Sequence, residues 1–182
     1  MKKIRTIFER IDRKIINKIA DGVNLESLKN SKATEKLDGM NVRVTVRSGE
    51  CVRLEKRRNP SKIQKTKGII EPWYVDTCIS TEDKWLNESI ANTDLSKIPD
   101  GEWSGEAIGK NIQGNPLNLE NNRIVFFTLN QAPIFENVPT AFEELKAWLP
   151  SQKSKYGNNC QIEGIVWHCE NGDMFKIKLK DF

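Results

Sequence analysis

The hydrophobic positions of the first twenty residues recur at spacings of three and four. Arg and Lys residues stand between them, so the apolar side chains would share one face of an amphipathic helix. The residues on that face are Ile4, Phe8, Ile11, Ile15, Ile16 and Ile19. The pattern therefore predicts that the chain begins with a helix whose apolar stripe packs against the core.

A period of two follows further along the chain. Residues 41–47 alternate valines with polar side chains, which is typical of a half-buried strand. The triplet Ser48-Gly49-Glu50 is a turn signal, so residues 51–56 are expected to return as the second strand of a hairpin. Three later segments, rich in β-branched and aromatic residues, are also predicted to be strands: 123–129, 161–168 and 174–180.

Two more helices are predicted between these strands. One covers residues 81–91, and the other follows a capping box formed by Thr140 and Glu143 and ends at Pro150. Because the strands outnumber the helices and come in hairpins, the pattern favours an α+β fold built on antiparallel sheets. At 182 residues, and with no low-complexity linker, we expect a single domain over residues 1–182.

Composition excludes several classes of protein. Hydrophobic residues make up 37% of the chain, which excludes a disordered chain, and no apolar run approaches the twenty residues of a membrane span. The basic N-terminus is followed by charged residues rather than by an apolar signal-peptide core, so we expect a cytoplasmic protein, in the host cytoplasm if viral. The four cysteines show no CxxC pairing and His168 is the one histidine, which argues against zinc and for reduced thiols.

The charge is distributed unevenly. The chain carries 29 Lys and Arg against 25 Asp and Glu, and a formal net charge of +4 is too small to coat nucleic acid by charge alone. Residues 43–67, however, contain nine Lys or Arg against Glu50 and Glu55. This stretch is either an anion-binding surface or a solvated face, and the sequence leaves both readings open.

One lysine stands out by its position. Lys36 opens the sequence Lys36-Leu37-Asp38-Gly39, directly before the first strand of the hairpin, so it would lie in a turn that enters a sheet. Gly39 permits a close backbone approach that a Cβ atom would block, and Asp38 can orient the ammonium group or fix the turn. Such a lysine suits a nucleophile, although short turns of this kind also occur as solvated loops.

The C-terminal segment offers the cations that such a nucleophile needs. Strand alternation in residues 175–180 places Lys176, Lys178 and Lys180 on one face. A row of cations binds phosphate oxygens and lowers the pKa of a neighbouring lysine, although lysines also protect edge strands from aggregation. Upstream, Glu163 begins an apolar strand, where burial is costly unless a lysine or a metal ion pairs with it.

Two further patches set polar groups among apolar ones, around Glu106 and Phe127. Glu106 is preceded by glycine in a segment that alternates polar and apolar residues, so it is placed to meet a ligand closely. Phe127 follows another phenylalanine on a predicted strand. It would stack on a base if exposed, whereas a strand phenylalanine is more commonly part of the core.

Taken in order, these motifs resemble those of the covalent nucleotidyltransferase superfamily of polynucleotide ligases and mRNA capping enzymes. The motifs are Lys36-Leu37-Asp38-Gly39, Lys56-Arg57, Phe126-Phe127, Glu163-Gly164-Ile165-Val166 and Lys176-Ile177-Lys178. Asn41, and Gly105-Glu106 followed by Gln113, are most similar to the ATP-dependent RNA ligases of the phage RNA ligase 2 branch. The resemblance spans residues 34 to 180.

The resemblance implies the ligase adenylation-domain fold and an ATP-dependent RNA ligase. Lys36 would attack the α-phosphate of ATP, release pyrophosphate and carry AMP as a lysyl-AMP intermediate. The AMP would pass to an RNA 5′-phosphate and be displaced by a 3′-hydroxyl. The implied catalytic residues are Lys36, Lys176 and Lys178; the implied ATP-binding residues are Glu35, Lys36, Asn41, Arg57, Glu106, Phe127, Glu163, Lys176 and Lys178. Glu163 would also hold Mg²⁺ or Mn²⁺.

The chain departs from the superfamily pattern in two places. Thr128 stands where members often carry Asp, and the sequence stops at Phe182 without the C-terminal OB domain of DNA ligases and capping enzymes. Contacts to RNA would then come from the domain itself, including its basic 43–67 stretch, or from an accessory protein or domain. A DNA ligase, a GTP-dependent capping guanylyltransferase and a non-catalytic nucleic-acid-binding relative are the alternatives.

Overall fold

The computed structural model describes residues 3–127 and 132–182, which divide into two compact units. Residues 38–127 are called the middle unit here, and residues 4–37 with 132–182 the terminal unit. The strands are β1 (Arg5–Thr6), β2 (Phe8–Ile11), β3 (Lys14–Ile19), β4 (Lys32–Lys36), β5 (Met40–Arg47), β6 (Glu50–Arg58), β7 (Trp73–Asp76), β8 (Gly101–Ile108), β9 (Arg123–Phe126), β10 (Ile134–Phe135), β11 (Gly164–His168) and β12 (Met174–Lys178). The α-helices are α1 (Leu25–Lys29), α2 (Lys62–Thr66), α3 (Lys84–Ala91) and α4 (Phe142–Trp148). The predicted α+β fold with antiparallel sheets is confirmed, whereas the single domain over residues 1–182 stays a prediction.

The middle unit is built on a five-stranded antiparallel sheet in the order β7-β6-β5-β8-β9. The valines of β5 are fully buried on one face and pack in a core with Leu86 of α3. Each fully buried valine stabilises the fold by about 1.5–3 kcal/mol. Ser48 and Gly49 both have positive φ angles, 51° and 76°, as a two-residue hairpin turn requires. The hairpin of β5 and β6 is thus confirmed, with β6 running two residues beyond its predicted end.

Gly39 lies just before β5, where the backbone approaches β8 closely. A Cβ atom at this position would lie 2.2 Å from the backbone oxygen of Ala107. The close backbone approach expected at Gly39 is therefore confirmed, and any other residue would push the start of β5 away from its neighbour.

The terminal unit contains a second five-stranded sheet, in the order β1-β12-β11-β4-β10. Its pairs are antiparallel except for β1 and β12, which run parallel. One face packs Trp167, Phe175 and Ile177 into a core that Leu28 of α1 and Leu145 of α4 complete. The opposite face carries the side chains of Lys36, Lys176 and Lys178, which are described below.

The predicted N-terminal helix is wrong. Residues 5–19 form three strands, and β2 and β3 join as a hairpin whose turn residues Asp12 and Arg13 have positive φ angles of 47° and 73°. Isoleucine is β-branched and favours strands, and the core takes Ile7, Phe8 and Ile15 while Ile11 stays 58% exposed. The helical spacing was therefore coincidental, because pairing with the sheet outweighs it.

The other predicted helices are confirmed with changed details. Residues 81–91 form a short 3₁₀ turn and then α3. The predicted capping box at Thr140 is wrong, since α4 starts at Phe142 after Ala141 and receives no side-chain cap. Its last turn continues as a 3₁₀ turn through Pro150.

The remaining predicted strands are confirmed but shorter than expected. Among the described residues they shrink to β9, β11 and β12, while part of the predicted 123–129 strand lies outside the described residues. Across the described ranges 3–127 and 132–182, no helix is both long enough and apolar enough to cross a membrane.

Candidate active site

Lys36 is the last residue of β4, not part of a turn as the sequence suggested. In the register of the terminal sheet, Gly164 of β11 pairs with Lys36 on one side and with Lys178 of β12 on the other. The side chains of Lys36 and Lys178 therefore stand on the same face, with only the hydrogen atom of Gly164 between them. Thr34 and Lys176 occupy the next row of that face, two residues further along their strands.

Gly164 permits this arrangement because it has no side chain, and the neighbouring strand leaves no room for one. A Cβ atom there would lie 2.0 Å from the backbone oxygen of Ile177 and 2.8 Å from Cα of Lys178. β11 and β12 therefore approach each other closely at the row that holds Lys36.

Glu163 lies immediately before β11 and bridges the two lysines. Its Oε2 accepts a hydrogen bond from Nζ of Lys36 at 2.5 Å, and its Oε1 lies 2.8 Å from Nζ of Lys178. Burial raises the pKa of Glu163, but the two lysines outweigh burial and hold its pKa below the usual range. The carboxylate is therefore ionised and is shared by two cations, which confirms that a lysine satisfies the predicted buried charge.

Lys176 is the third cation of this face, and its pKa is lowered to about 8. Burial is the main cause, and the positive charges of Lys178 and Lys36 add to it. Lys180 does not extend the row, because it lies in a 3₁₀ turn, is 69% exposed and reaches only to 4.0 Å from Glu163. The cluster thus places Lys36 and Lys178 on the carboxylate of Glu163, with Lys176 beside them, while the nearby Asp181 is ion-paired with Arg10. This leaves a surplus of positive charge suited to phosphate groups.

Glu35 points away from this lysine face, since successive strand residues alternate between faces. Its side chain is buried and accepts hydrogen bonds from Oγ of Ser154 at 2.6 Å and from the backbone NH of Lys155 at 2.8 Å. Burial raises the pKa of Glu35, and these donors oppose the rise. Glu35 thereby ties the loop after residue 153 to the strand of Lys36, and its predicted contact with ATP stays a prediction.

The middle unit gathers the other predicted site residues on the polar face of its sheet. Asn41 pairs with Glu106 in the register of β5 and β8, and its Nδ2 lies 3.2 Å from the backbone oxygen of Gly105 and 3.4 Å from Oε2 of Glu106. Its Oδ1 accepts a 2.8 Å hydrogen bond from the hydroxyl of Tyr74. The amide of Asn41 is therefore fixed in one orientation.

Arg57 and Phe127 flank these residues on the same unit. Arg57 pairs with Tyr74 in the register of β6 and β7 and is half-buried. Phe127 directly follows β9 and is 50% exposed, whereas Phe126 is buried in the core. The exposed member of the aromatic pair is therefore the one predicted to stack on a base. Thr128 lies outside the described residues.

Sequence reasoning missed two sets of contacts, one in each unit. Tyr74 fixes Asn41 through its hydroxyl, and the guanidinium of Arg43 lies 4.8 Å from the centre of its ring. On the lysine face, Oγ1 of Thr34 lies 2.9 Å from Nε2 of His168, whose pKa is lowered by burial. Strand alternation in residues 73–76 was the available signal for Tyr74, while the Thr34 and His168 contact joins residues that no local pattern connects.

The basic stretch 43–67 proves to be heterogeneous. Arg43 forms a two-pronged ion pair with Glu55 at 2.6 and 2.8 Å, and Arg53 lies 2.6 Å from Asp76. Lys56 is buried against the core and lies 2.5 Å from Asp83. These three cations are neutralised within the middle unit, so the stretch as a whole is not one anion-binding surface.

Comparisons with known proteins add to this geometry. The model that describes the family RNA ligase 1 matches residues 78–182, which is 105 of the 182 residues of the chain. The chain belongs to the RNA ligase 1 family. The matched stretch contains Glu106, Phe127, Glu163, Lys176 and Lys178, whereas Lys36 lies outside it and is tied to it by the ion pair with Glu163.

Individual family members are similar over a shorter stretch. RNA ligase 1 of Rattus norvegicus is 37% identical over 75 residues, which is 40% of this chain and 22% of that protein. RNA ligase 1 of Danio rerio is 33% identical over 75 residues, with the same coverage of both chains. The match therefore spans about a fifth of the length of these relatives.

Solved structures share the fold of this family member. A Naegleria gruberi RNA ligase with PPi superposes with a TM-score of 0.51 at 15% identity, covering 98% of this chain and 59% of that one. A mutant of the same ligase with ATP and Mn gives a TM-score of 0.51 at 15% identity, with 97% and 59% covered. At this identity the likeness establishes the fold alone.

Proposed function

We propose that this chain carries the adenylation chemistry of an ATP-dependent RNA ligase. The observation that carries the proposal is the cluster of Lys36, Lys176 and Lys178 around the single carboxylate of Glu163. Membership of the RNA ligase 1 family supports the same conclusion. Such a cluster supplies an amine that can act as a nucleophile, together with cations that hold the phosphates it attacks.

In the first step, Lys36 forms a bond from its amine nitrogen to the α-phosphorus of ATP. The bond from that phosphorus to the bridging oxygen breaks, pyrophosphate leaves with the electron pair, and the amine loses a proton. The product is a lysyl-AMP phosphoramidate. Because Nζ of Lys36 donates to Glu163 in the resting protein, the amine must leave this ion pair before it attacks.

Lys176 and Lys178 would stabilise the negative charge that builds on the phosphate oxygens during this step, where phosphoryl transfer gains most. Lys176 would keep its positive charge to higher pH when the polyphosphate binds, because an anion beside it counteracts the burial that lowers its pKa to about 8. In the middle unit, Arg57 and Glu106 would contact phosphate or ribose, Phe127 would stack on adenine, and Asn41 would act on RNA in the later steps.

A divalent metal ion fits the donor set on the lysine face. Glu163 is ionised, and Mg²⁺ is commonly held by one or two carboxylates together with substrate phosphates. When bound, such an ion would neutralise phosphate charge during transfer. Glu163 is the residue that would hold it.

In the later steps, the AMP passes from Lys36 to the 5′-phosphate of an RNA end, and the lysine amine is the leaving group. The 3′-hydroxyl of the second end then attacks that 5′-phosphate and expels AMP, which leaves a phosphodiester bond. RNA with a 5′-phosphate and a 3′-hydroxyl is therefore the proposed substrate.

The direct test is a transfer of label from ATP that carries radioactive phosphorus in its α-phosphate. The protein is incubated with this ATP and Mg²⁺ and then separated by denaturing electrophoresis. Wild-type protein should keep the label, Lys36→Ala should lose it, and the matched control Lys32→Ala, on the same strand and exposed, should keep it. A wild type without label, or a Lys36→Ala variant with label, contradicts the proposal.

The same preparation separates the alternatives. Label from GTP instead of ATP would indicate a capping guanylyltransferase, and sealing of nicked DNA but not RNA would indicate a DNA ligase. Salt-sensitive RNA binding without a covalent adduct would indicate a non-catalytic binding protein.

A further inference from the structure

The connection between β6 and β7, residues 59–72, protrudes from the middle unit and is called the lysine loop here. Pro60 and Pro72 are buried and anchor its two ends. The residues between them are exposed apart from half-buried Gln64, and α2 within the loop buries no residue. A capping box of Ser61 and Gln64 holds α2 instead. The loop is therefore ordered locally and contributes little to the core of its unit.

The net positive charge of the chain is concentrated around this loop. Residues 57–73 contain five Lys or Arg against the one acid Glu71, a net charge of +4. The formal net charge of the whole chain is also +4, so the remaining residues are neutral together.

The lysines of the loop lack the acidic partner that Arg58 has. Arg58, at the base of the loop, lies 2.7 Å from Glu82 and is neutralised. Lys62, Lys65 and Lys67 are exposed, and none of them forms an ion pair with any residue in the described part of the chain. Three like charges within six residues repel one another, and an anionic polymer would relieve that repulsion.

The loop also lies next to the polar face that holds the predicted nucleotide-binding residues. It begins directly after Arg58 of β6, so Arg57, which lies on that face with Tyr74, is two residues from its start.

We propose that the lysine loop binds the phosphate backbone of the single-stranded RNA end that is to be joined. This inference rests on the proposed ligase function for the identity of the polymer. An RNA strand carries a charge at every nucleotide and matches a loop with three unneutralised lysines and Glu71 as its one acid. The loop also exposes Ile63, Ile69 and Ile70 at 70%, 45% and 69%, which an apolar protein partner would use and an RNA backbone would not. Separate mutation of the lysines and of the isoleucines therefore distinguishes binding of RNA from binding of an apolar protein.

The experiment measures the affinity of the full chain for a fluorescent single-stranded RNA with a 5′-phosphate, as a function of salt. The variant carries Lys62→Gln, Lys65→Gln and Lys67→Gln together. Each lost phosphate contact removes about 0.7 from the slope of log affinity against log salt, so the slope should fall by about 2 and the affinity by roughly 100-fold at 0.1 M salt. The matched control carries Lys97→Gln, Lys146→Gln and Lys153→Gln, exposed lysines elsewhere, and should bind within about twofold of wild type.

A second variant tests the competing occupant. Ile63→Ser, Ile69→Ser and Ile70→Ser together should leave RNA affinity unchanged. The proposal is overturned if the lysine variant binds as wild type does, or if the isoleucine variant loses as much affinity as the lysine variant, which would mark an apolar protein-docking surface.

Measuring adenylation in the same preparations distinguishes failure of the ligase proposal from failure of the lysine-loop proposal. The lysine variant should form lysyl-AMP at the wild-type rate, since none of its three residues belongs to the lysine cluster. If wild-type protein forms no lysyl-AMP, the ligase proposal fails, while the affinities still decide whether the loop binds RNA. If lysyl-AMP forms and the loop lysines leave affinity unchanged, only the loop proposal fails.

Discussion

The lysine face of the terminal unit and the polar face of the middle unit use charge in opposite ways. On the lysine face, Lys36 and Lys178 share the carboxylate of Glu163, and Lys176 lies beside them without an ion pair to it. On the polar face, Arg43 is matched by Glu55, which accepts from it with both carboxylate oxygens. Cations that are paired with carboxylates stabilise the fold without a ligand. Cations in excess of the nearby carboxylates repel one another in the free protein, so binding an anion stabilises them. The imbalance, and not the number of cations, identifies the candidate active site.

The largest effect should come from removing the one acid of the lysine face. Glu163→Gln removes the carboxylate that bridges Lys36 and Lys178, and we expect lysyl-AMP formation to fall by about 100- to 1000-fold. The free energy of unfolding should fall by about 2 kcal/mol, since two hydrogen bonds to a charged group are weakened. Single-turnover adenylation and urea denaturation measure the two effects.

The matched control for this change lies on the polar face. Glu55→Gln removes the partner of Arg43 and should lower stability by a similar amount while adenylation continues. If Glu163→Gln adenylates at the wild-type rate, the distinction between the two faces fails.

A smaller effect on adenylation, with a larger loss of stability, is expected at the buried pair of the middle unit. Lys56→Met leaves the carboxylate of Asp83 buried and without its ion-pair partner, which should lower the free energy of unfolding by about 3 kcal/mol. The double variant Lys56→Met with Asp83→Asn should recover much of this loss, because no charge then remains buried. Adenylation per folded molecule should stay close to wild type, and strong loss of adenylation in the folded double variant would show that Lys56 serves the chemistry.

The smallest effect concerns Lys176 and depends on pH. Its pKa is about 8 in the folded protein and 10.5 as a free side chain, so the unfolded state binds more protons between these values. Stability should therefore rise with pH across this window, and the cost of the buried charge is fully present below pH 8. Lys176→Met should raise the free energy of unfolding at pH 7 by about 1 kcal/mol, with the gain shrinking as pH rises towards 10.5.

Denaturation at several pH values checks this dependence, with the exposed Lys180→Met as control. The Lys176→Met variant should adenylate poorly, since it lacks a phosphate-binding cation. A gain in stability that is equal at every pH would contradict the assigned cause.

The sequence predicted those parts of the fold whose signals are local. The hairpin of β5 and β6 was found because alternating valines and a Ser48-Gly49 turn both lie within one short segment. The N-terminal segment was misread because its isoleucines fit two periods, and because the turn that joins β2 to β3 is made by Asp12 and Arg13 rather than by a glycine that would have marked it. Thr140 was misread for a related reason, since the helix start is set by how Phe142 packs and not by the nearest capping residue.

The sequence predicted which residues gather in the lysine cluster, but not which cations elsewhere are neutralised by ion pairs. The order of motifs brought out Lys36, Glu163, Lys176 and Lys178, and the structure assembles them on one face. No pattern in the sequence could tell which cations of the 43–67 stretch are neutralised, because Lys56 and its partner Asp83 meet only in the folded sheet and helix.

The absence of a side chain at position 164 has a consequence for how this protein can vary. Because even a methyl group would collide with the neighbouring strand, alanine and serine are excluded there along with every larger residue. A saturation library at this codon, selected for activity, should return glycine alone. The spacing between Lys36 and Lys178 thus depends on the absence of a Cβ atom at position 164.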